Sequence, residues 1–561
     1  MDSSNYWTRT IGRRRLLAAT AGTALVAAVG AACGDDDDDG GGSAFPGGGT
    51  SPAAGSPVAQ QPRRGGTIKI SMYLNPPHLD ALQGTSSQAI PLATVQDALL
   101  GYEAGPGVGA NEQKLRPALA AALPEQPDEM TFTFKLNPAA KWSDGTPVTA
   151  DDVKFTLEQI KSATVGAYSQ KAQFQVIQSV SAVDKNTVSI KTTRPSAALT
   201  RYLSESTASI VPAAIYQQLG DFKKEVVGSG PYKLDRFEPS VSIRLVRNPD
   251  HWNGSAEGWA DTIDWSIIQE DSTRLAAYQA GKHDIEGLYP FLSEDMRKQI
   301  EGTGTEFLEG LTNYGTYLIP NNTKAPFNDE RVRKAFHLAI NRQQMIATWG
   351  NGKGQVNGPI PAVYTDFAFS QDELLKRPGL RAQKDQDLKD AKALLEQTGF
   401  ESLDVDAIGG MDYQTAGPFL QVARNNLAAI GVNLNIQLID NQTVLARHRS
   451  GDFTFSSTPH TTVADIDGLL ISDYRSDSAL AYGRPKDSAL DLMIDKQSQT
   501  LDAAERKRLV NEIQDYVLNK AYYMYTTDRT VWVAYRATAV SNFHYNLYSR
   551  GAALRQTWLK A

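Results

Sequence analysis

Apolar and polar residues alternate along several short stretches of the chain, which is the pattern of strands with one buried face. The clearest stretch covers residues 131–136 (TFTFKL), where every second residue is Phe or Leu. Residues 66–72 and 432–438 show the same period of two. We therefore predict strands at these three places, the first of them at the start of the folded body.

Other stretches carry apolar residues at helical spacing. Between residues 328 and 341 they recur at i, i+3, i+4, i+7 and i+8, with Asn328 as the predicted N-cap. Thr149 is the predicted N-cap of an earlier helix, with Asp152 at its N3 position, and Asp502 begins a later helix. Because helices and strands alternate along the chain, the predicted fold class is α/β.

Length and composition exclude several classes of protein. The chain has 561 residues, more than one hydrophobic core usually accommodates, so we expect at least two lobes. A net charge of −7 without a long basic run argues against nucleic-acid binding. The single cysteine, Cys33, rules out an intramolecular disulfide, and the seven histidines do not show metal-ligand spacing.

The first 32 residues have the features of a signal peptide. Three arginines at 13–15 precede an apolar, uncharged run at 16–32 that ends in small residues. Arg13 and Arg14 followed by two leucines resemble a twin-arginine export signal, which carries folded proteins across the membrane. An uncleaved membrane anchor is the alternative, since seventeen apolar residues could just span a thin bilayer.

Cys33 lies where the apolar run ends, in the sequence AACG (31–34), which resembles a bacterial lipobox. That resemblance implies that the Cys33 thiol carries a lipid, with a tether over residues 33–64 that holds the protein at the outer face of the cytoplasmic membrane. The five aspartates and the Gly, Ser and Pro residues of this segment predict a disordered spacer. The alternative is a free thiol in a discarded leader.

Five groups of residues, in a fixed order along the chain, carry a family resemblance that extends from about 65 to about 532. They are FTFKLNP, KWSDGTP and TADDV within 132–153; VGSGPY (227–232) with RNPDHW (247–252); DSTR (271–274) with GKHDI (281–285); PFND, RVRKA and AINR within 326–342; and DAKALLE (390–396) with GF (399–400). Together they resemble the extracytoplasmic solute-binding proteins of ABC importers, in the family that includes the dipeptide, oligopeptide and nickel binders.

The resemblance implies a large type II periplasmic-binding-protein fold, with two α/β lobes around a ligand cleft and two strands crossing between them. Lobe one would span residues 65–311 and 526–561, and lobe two residues 312–525. The implied protein is a monomer without cofactor or catalytic residues. It would capture a peptide or similar polar solute and deliver it to a permease and its ATPases.

The resemblance also suggests where a ligand would bind: the loop after the first strand, a crossing strand, the loop at 456–467 and the second crossing. The candidate ligand-binding residues are Tyr73, Asn75, Asn313, Tyr314, His460, Thr461, Thr462, Asp465 and Trp532. Local packing is the competing interpretation for several of them, and a place in the core is favoured for Trp532.

In the peptide binders of this family, an aspartate in the loop that corresponds to residues 456–467 accepts the ligand's ammonium group. Matching the family's Asp-Pro-Asp stretch to residues 465–467 puts that position at Thr462, which carries no charge and would bind an ammonium poorly. A shift of a few residues would let Asp465 serve instead. An oligosaccharide, a metal chelate or a sensing role therefore remain alternatives to peptide uptake, and an exported hydrolase is the least favoured.

Overall fold

The computed structural model describes residues 62–83, 86–162, 171–289, 291–302, 304–311, 314–400, 402–411, 415–461 and 464–560. Residues 63–561 form one compact unit. The predictions for the signal peptide (1–32), for Cys33 and for the tether up to residue 61 lie outside the described residues.

Strands and helices alternate along this unit, as the sequence predicts. The strands are β1 Thr67–Met72, β2 Leu100–Tyr102, β3 Leu115–Pro117, β4 Glu125–Asp128, β5 Thr131–Lys135, β6 Ile177–Asp184, β7 Thr187–Thr192, β8 Tyr232–Glu238, β9 Ser242–Arg247, β10 Thr262–Ile267, β11 Ile285–Glu286, β12 Thr305–Leu311, β13 Tyr314–Pro320, β14 Gly354–Val356, β15 Leu403–Gly410, β16 Val432–Ile439, β17 Phe455–Thr461, β18 Met524–Tyr525, β19 Thr527–Arg536, β20 Val540–Ser541 and β21 Trp558–Leu559.

The helices surround these strands, and most of them are two to four turns long. They are α1 Ser86–Leu92, α2 Ala150–Ser162, α3 Leu199–Tyr202, α4 Ala213–Leu219, α5 Asp271–Gln279, α6 Glu294–Ile300, α7 Glu330–Ala339, α8 Arg342–Gly350, α9 Gln371–Leu374, α10 Asp385–Glu396, α11 Ala416–Ala428, α12 Asn441–Ser450, α13 Ile466–Tyr474, α14 Ser488–Gln499 and α15 Ala503–Lys520.

The largest sheet is mixed and has the strand order β12-β19-β11-β1-β10-β9-β8, with β14 added on β19. Strand β1 pairs in parallel with both β10 and β11, whereas β19 runs antiparallel to β11 and β12. A separate four-stranded sheet, β4-β5-β7-β6, is formed by the chain between β3 and β8. These two sheets lie within the part of the sequence assigned to lobe one, apart from β14.

The second large sheet has the order β16-β15-β17-β13-β18 and lies entirely within residues 314–525. Strands β16, β15 and β17 are parallel, and helix α11 connects β15 to β16. The chain passes from the first large sheet to the second between β12 and β13, and it returns between β18 and β19. Two crossings of this kind join the two lobes of the fold.

The residue patterns explain most of these elements. Phe132 and Phe134 of β5 are completely buried, as the alternating pattern predicts. Before α2, the Asp152 carboxylate accepts hydrogen bonds from the Thr149 backbone N–H at 2.8 Å and from its hydroxyl at 2.9 Å. The prediction of Asn328 as an N-cap is wrong by one residue, because Asp329 accepts the backbone N–H two positions on and α7 begins at residue 330.

Candidate functional site

The two crossings bring several of the candidate residues to one end of the second large sheet. Strands β13 and β17 are antiparallel, with Tyr314 opposite Thr461 and residue 315 opposite His460. The backbone therefore places these three candidates side by side where the chain enters lobe two. Asn313 and Thr462 lie outside the described residues, as do the side chains of the other three, so their role in binding stays a prediction.

The loop after β1 holds the candidates Tyr73 and Asn75 near the molecular surface. The Tyr73 ring is 42% exposed, and its backbone N–H donates to the carbonyl of Tyr289 at 3.2 Å. The amide of Asn75 forms two hydrogen bonds with Ser240: its nitrogen donates to the hydroxyl at 2.7 Å, and its oxygen accepts the backbone N–H at 3.0 Å. Asn75 thus links two loops, while part of the Tyr73 side chain remains exposed to solvent.

Asp465 lies fully buried at the N-terminus of α13. Its carboxylate receives two hydrogen bonds from Arg506, one from Arg201 at 2.9 Å and one from the backbone N–H of Asp467 at 2.8 Å. Burial would raise the pKa of Asp465, but the charges of Arg506 and Arg201 outweigh burial and hold it well below its usual range. The carboxylate is thus occupied by protein groups, which speaks against its serving as the acceptor of a ligand ammonium.

Trp532 belongs to the protein interior. It lies on β19 opposite Glu309, only 5% exposed, and packs in a small apolar cluster with Tyr278 and Leu292 beneath the strand. The guanidinium carbon of Arg297 lies 5.6 Å from its ring centroid. The structure therefore agrees with the competing interpretation that Trp532 fills the core.

A cavity of about 760 Å³ lies between elements of both lobes. Four parts of the chain form its walls: the segment around β2 and β3, the segment from 172 to 209, helix α13 with the turn after it, and the C-terminal segment 547–555. Its volume falls in the range of cavities that enclose small organic ligands. The residues that matter most for its chemistry are Gln96, Asp97, Tyr102, Arg116, Arg194, Tyr202, Glu205, Asp467, Tyr548, Arg550 and Arg555.

Arg555 lies in the inner wall of the cavity and is buried. It donates to Asp97 at 2.5 Å and to Glu257 at 3.3 Å. Burial would raise the pKa of Glu257, but the charge of Arg555 and the nearby imidazole of His251, 3.6 Å away, lower it to about 2. The cluster therefore places two carboxylates on one guanidinium and fixes the C-terminal segment against the residues that follow α1.

Aromatic side chains and arginine form another part of the wall. The rings of Tyr102 and Tyr548 have centroids 5.5 Å apart, and the Tyr548 hydroxyl donates to the carbonyl of Val363 at 3.0 Å. The guanidinium carbon of Arg550 lies 5.3 Å from the ring centroid of Tyr289, whose carbonyl holds the Tyr73 loop. The loop that holds Tyr73 thus contacts Tyr289, which in turn contacts Arg550 of the cavity wall.

Two further observations concern the part of the chain that the structure describes. No three His, Cys, Asp or Glu side chains converge there as metal ligands. Over the same residues, no helix combines the length and the apolar character needed to cross a bilayer.

Sequence reasoning missed the cavity-lining residues Arg116, Tyr202, Tyr548 and Arg555. Tyr202 and Asp467 come within 3.4 Å although 265 positions separate them, and Arg555 reaches Asp97 over 458 positions. Contacts this distant leave no local pattern in one sequence.

With this geometry in place, the chain can be compared with known proteins. The profile of the bacterial extracellular solute-binding proteins, family 5, matches residues 114–477. The match covers more than half of the chain, and the chain belongs to this family.

Two curated relatives illustrate the similarity. The periplasmic oligopeptide-binding protein OppA of Haemophilus influenzae is 28% identical over 313 residues, which cover 52% of this chain and 56% of the relative. The probable D,D-dipeptide-binding periplasmic protein DdpA of Escherichia coli is 25% identical over 428 residues, covering 74% and 80% of the two chains. The chain therefore matches little more than half the length of the first relative and most of the second.

A solved structure supports the fold. The periplasmic binding protein DppA of Helicobacter pylori, determined in complex with the peptide STSA, superimposes with a TM-score of 0.70 at 21% identity. The superposition covers 89% of this chain and 99% of that one. The predicted two-lobed binding-protein fold is confirmed.

Proposed function

We propose that this protein is an extracytoplasmic solute-binding protein of an ABC importer. It captures a peptide or a similar small polar solute between its lobes and delivers that solute, unaltered, to a membrane permease driven by ATPase subunits. The observation that carries the proposal is the 760 Å³ cavity, whose walls come from both lobes of a family 5 fold.

The cavity suits a solute with both polar and apolar parts. Tyr102, Tyr202 and Tyr548 offer aromatic surface, and arginines and carboxylates lie beside them. A short peptide needs both kinds of surface, because its backbone must be hydrogen-bonded while its side chains are removed from water. The peptide-binding names of the two curated relatives support the same class of ligand.

The N-terminal sequence supports a place on the outer face of the cytoplasmic membrane. The proposal includes export through the twin-arginine route directed by Arg13 and Arg14, and lipidation at Cys33. The tether then leaves the body free to move above the membrane as a monomer and to reach its permease.

Native mass spectrometry of the processed protein, purified under mild conditions, tests the proposal. We expect a bound species whose released mass corresponds to a short peptide, recovered chemically intact. A sugar or metal complex in its place would reject peptide as the ligand class. Conversion of the solute by the purified protein would reject the transport function.

A further inference from the structure

Four arginines line the cavity, and among the described residues two of them form no ion pair with a carboxylate within 4.0 Å. Arg555 is neutralised by its two carboxylates, and Arg550 lies against aromatic rings. Arg116 and Arg194, by contrast, donate only to neutral groups. These two guanidinium groups therefore face the cavity without a carboxylate in direct contact, and Glu257 and Asp467 act on them only from a distance.

Arg116 is held rigidly on the edge of the β2–β3 pair. Its Nε donates to the carbonyl of Tyr102 and one Nη to the carbonyl of Pro117, each at 3.2 Å. It faces Gly101 across the strand pair, and a Cβ at that position would lie 3.6 Å from the guanidinium carbon. The half-buried guanidinium thus lies flat over a glycine, with its second Nη still available as a donor.

Arg194 lies on a different wall of the cavity. One of its Nη atoms donates to the hydroxyl of Ser498 at 3.0 Å, which is its single hydrogen bond within the described chain. The backbone N–H of Ala197 donates to the carbonyl of the same serine at 3.1 Å. Arg194 is therefore positioned by a contact between the lobes and retains donors for a ligand.

The carboxylates of the cavity walls do not contact Arg116 or Arg194. Asp97 is committed to Arg555 and to the hydroxyl of Ser229 at 2.8 Å. Asp467 accepts from Gln497 at 2.8 Å, and burial raises its pKa, which favours the neutral carboxyl group. Glu205 is the third carboxylate of the walls, and Glu257, which lies behind them, pairs with Arg555.

A half-buried guanidinium loses hydration that neutral carbonyl and hydroxyl acceptors only partly replace. A carboxylate replaces it fully, because two parallel N–H donors of the guanidinium match its two oxygens. Two such groups on separate walls favour a solute with more than one carboxylate and disfavour a solute with extra ammonium groups.

We propose that the cavity selects solutes of net negative charge, and that acidic peptides are its substrate class. This inference rests on the proposed function, since it assigns a charge to the ligand of the same cavity. Arg116 and Arg194 are its specificity-determining residues, each binding a carboxylate of the solute.

Isothermal titration calorimetry on the processed protein, freed of bound solute, tests the inference with the tripeptides Ala-Glu-Glu, Ala-Gln-Gln and Ala-Lys-Lys. We expect Ala-Glu-Glu to bind about tenfold more tightly than Ala-Gln-Gln, and Ala-Lys-Lys to bind most weakly. In the double variant Arg116→Gln/Arg194→Gln, the ratio between the first two peptides should fall close to one. Equal binding of the three peptides, or tightest binding of the lysine peptide, would overturn the inference.

Two control variants separate charge from folding. Arg116→Lys keeps the charge and should retain most of the preference for the acidic peptide. Arg424→Gln removes a positive charge from the exposed face of α11, outside the cavity, and should leave the preference unchanged. A preference lost equally in Arg424→Gln would mean that overall charge, rather than the cavity, is responsible.

A fourth probe, tricarballylate, separates the inference from the proposed function. This compound carries three carboxylates and no peptide bond. Binding of tricarballylate without binding of any tripeptide would reject peptide uptake and support selection for anions. If none of the four probes binds, both the proposed function and the selection for acidic solutes are contradicted.

Discussion

Arg201 donates a 2.9 Å hydrogen bond to the carboxylate of Asp465, and this ion pair joins the two lobes. Arg201 lies on α3, between the four-stranded sheet and β8, whereas Asp465 caps α13 beside the second large sheet. The other Nη of Arg201 donates to Asp366 at 3.2 Å, and Arg506 holds Asp465 from α15. The carboxylate is thus shared between a partner in its own lobe and a partner across the cleft.

Substitution Arg201→Gln should weaken contact between the lobes without unfolding lobe two, because Asp465 keeps its pair with Arg506. We expect a loss of about 1–3 kcal/mol in the free energy of unfolding, as for a buried hydrogen bond to a charged group. Ligand affinity should fall as well, because the variant loses a contact that holds the two lobes together beside the cavity. Equilibrium urea denaturation and calorimetry measure the two effects.

Two arginines of α15 provide the comparison for that variant. Arg506→Gln should cost more, about 3–5 kcal/mol, because it removes the bidentate partner of a fully buried carboxylate. Arg508→Gln changes a half-exposed pair with Glu505 and should cost far less, because solvent screens exposed ion pairs. Equal losses for Arg201→Gln and Arg508→Gln would show that the contact between the lobes contributes nothing to stability.

Local sequence patterns were sufficient for most of the elements. Strand β5 follows from its alternating Phe residues, and α15 begins after Asp502, whose carboxylate accepts the N–H of Glu505 at 2.9 Å. Helix α10 begins at residue 385, three residues before its first apolar residue, Leu388. Its first turn is mostly polar, so the apolar pattern gave no sign of it.

The site was harder to predict because its geometry depends on contacts between distant residues. Asp465 was predicted as a candidate ligand contact, whereas the partners that hold its carboxylate, Arg201 and Arg506, lie 264 and 41 positions away. Without those partners, the sequence could not distinguish a structural ion pair from a ligand contact. Trp532 posed the same problem, because its burial depends on helices α5 and α6, which precede it by more than 200 residues.

The buried carboxyl group of Asp528 should make stability depend on pH. Burial raises its pKa from 3.8 to about 7, while one oxygen accepts from Asn357 at 3.0 Å. Since the folded pKa lies above the unfolded value, its contribution to stability is complete below about pH 4 and is lost as pH rises through 7. Asp528→Asn should therefore stabilise the protein at pH 8, on the order of 1–4 kcal/mol, and change little at pH 4.

The measurement is urea denaturation of both proteins at a series of pH values. Asp515→Asn, which alters a half-exposed carboxylate paired with Arg377, is the matched control and should shift stability by less than about 1 kcal/mol at every pH. A difference between Asp528→Asn and the unchanged protein that is independent of pH would contradict the assignment of a titrating group at this position.

Gly228 should not tolerate a side chain. A Cβ at this position would lie 2.0 Å from the carbonyl oxygen of Val95, which is backbone and cannot move aside. Gly228→Ala should therefore destabilise the protein by about 1–3 kcal/mol or more. Gly350→Ala, at the end of α8 with open space around it, should be neutral or slightly stabilising. Thermal unfolding of the two variants compares them, and equal midpoints would refute the steric argument.

Cys33→Ala should abolish attachment to the membrane. If Cys33 carries the lipid, the variant loses incorporation of a labelled fatty acid and is either released or left unprocessed. Metabolic labelling followed by fractionation of the cells detects both outcomes. The separate variant Arg13→Lys/Arg14→Lys should block export while leaving Cys33 intact. Unchanged labelling in Cys33→Ala would remove the basis for the anchor.

Small-angle scattering of the processed protein, with and without its own solute, tests most directly whether the two lobes close over a ligand. The solute is first released, identified by its mass and then returned at saturating concentration. We predict that the radius of gyration decreases when the solute is returned, as the lobes approach around the cavity and the Arg201–Asp465 contact forms. A radius unchanged by a solute that calorimetry shows to be bound would contradict this account.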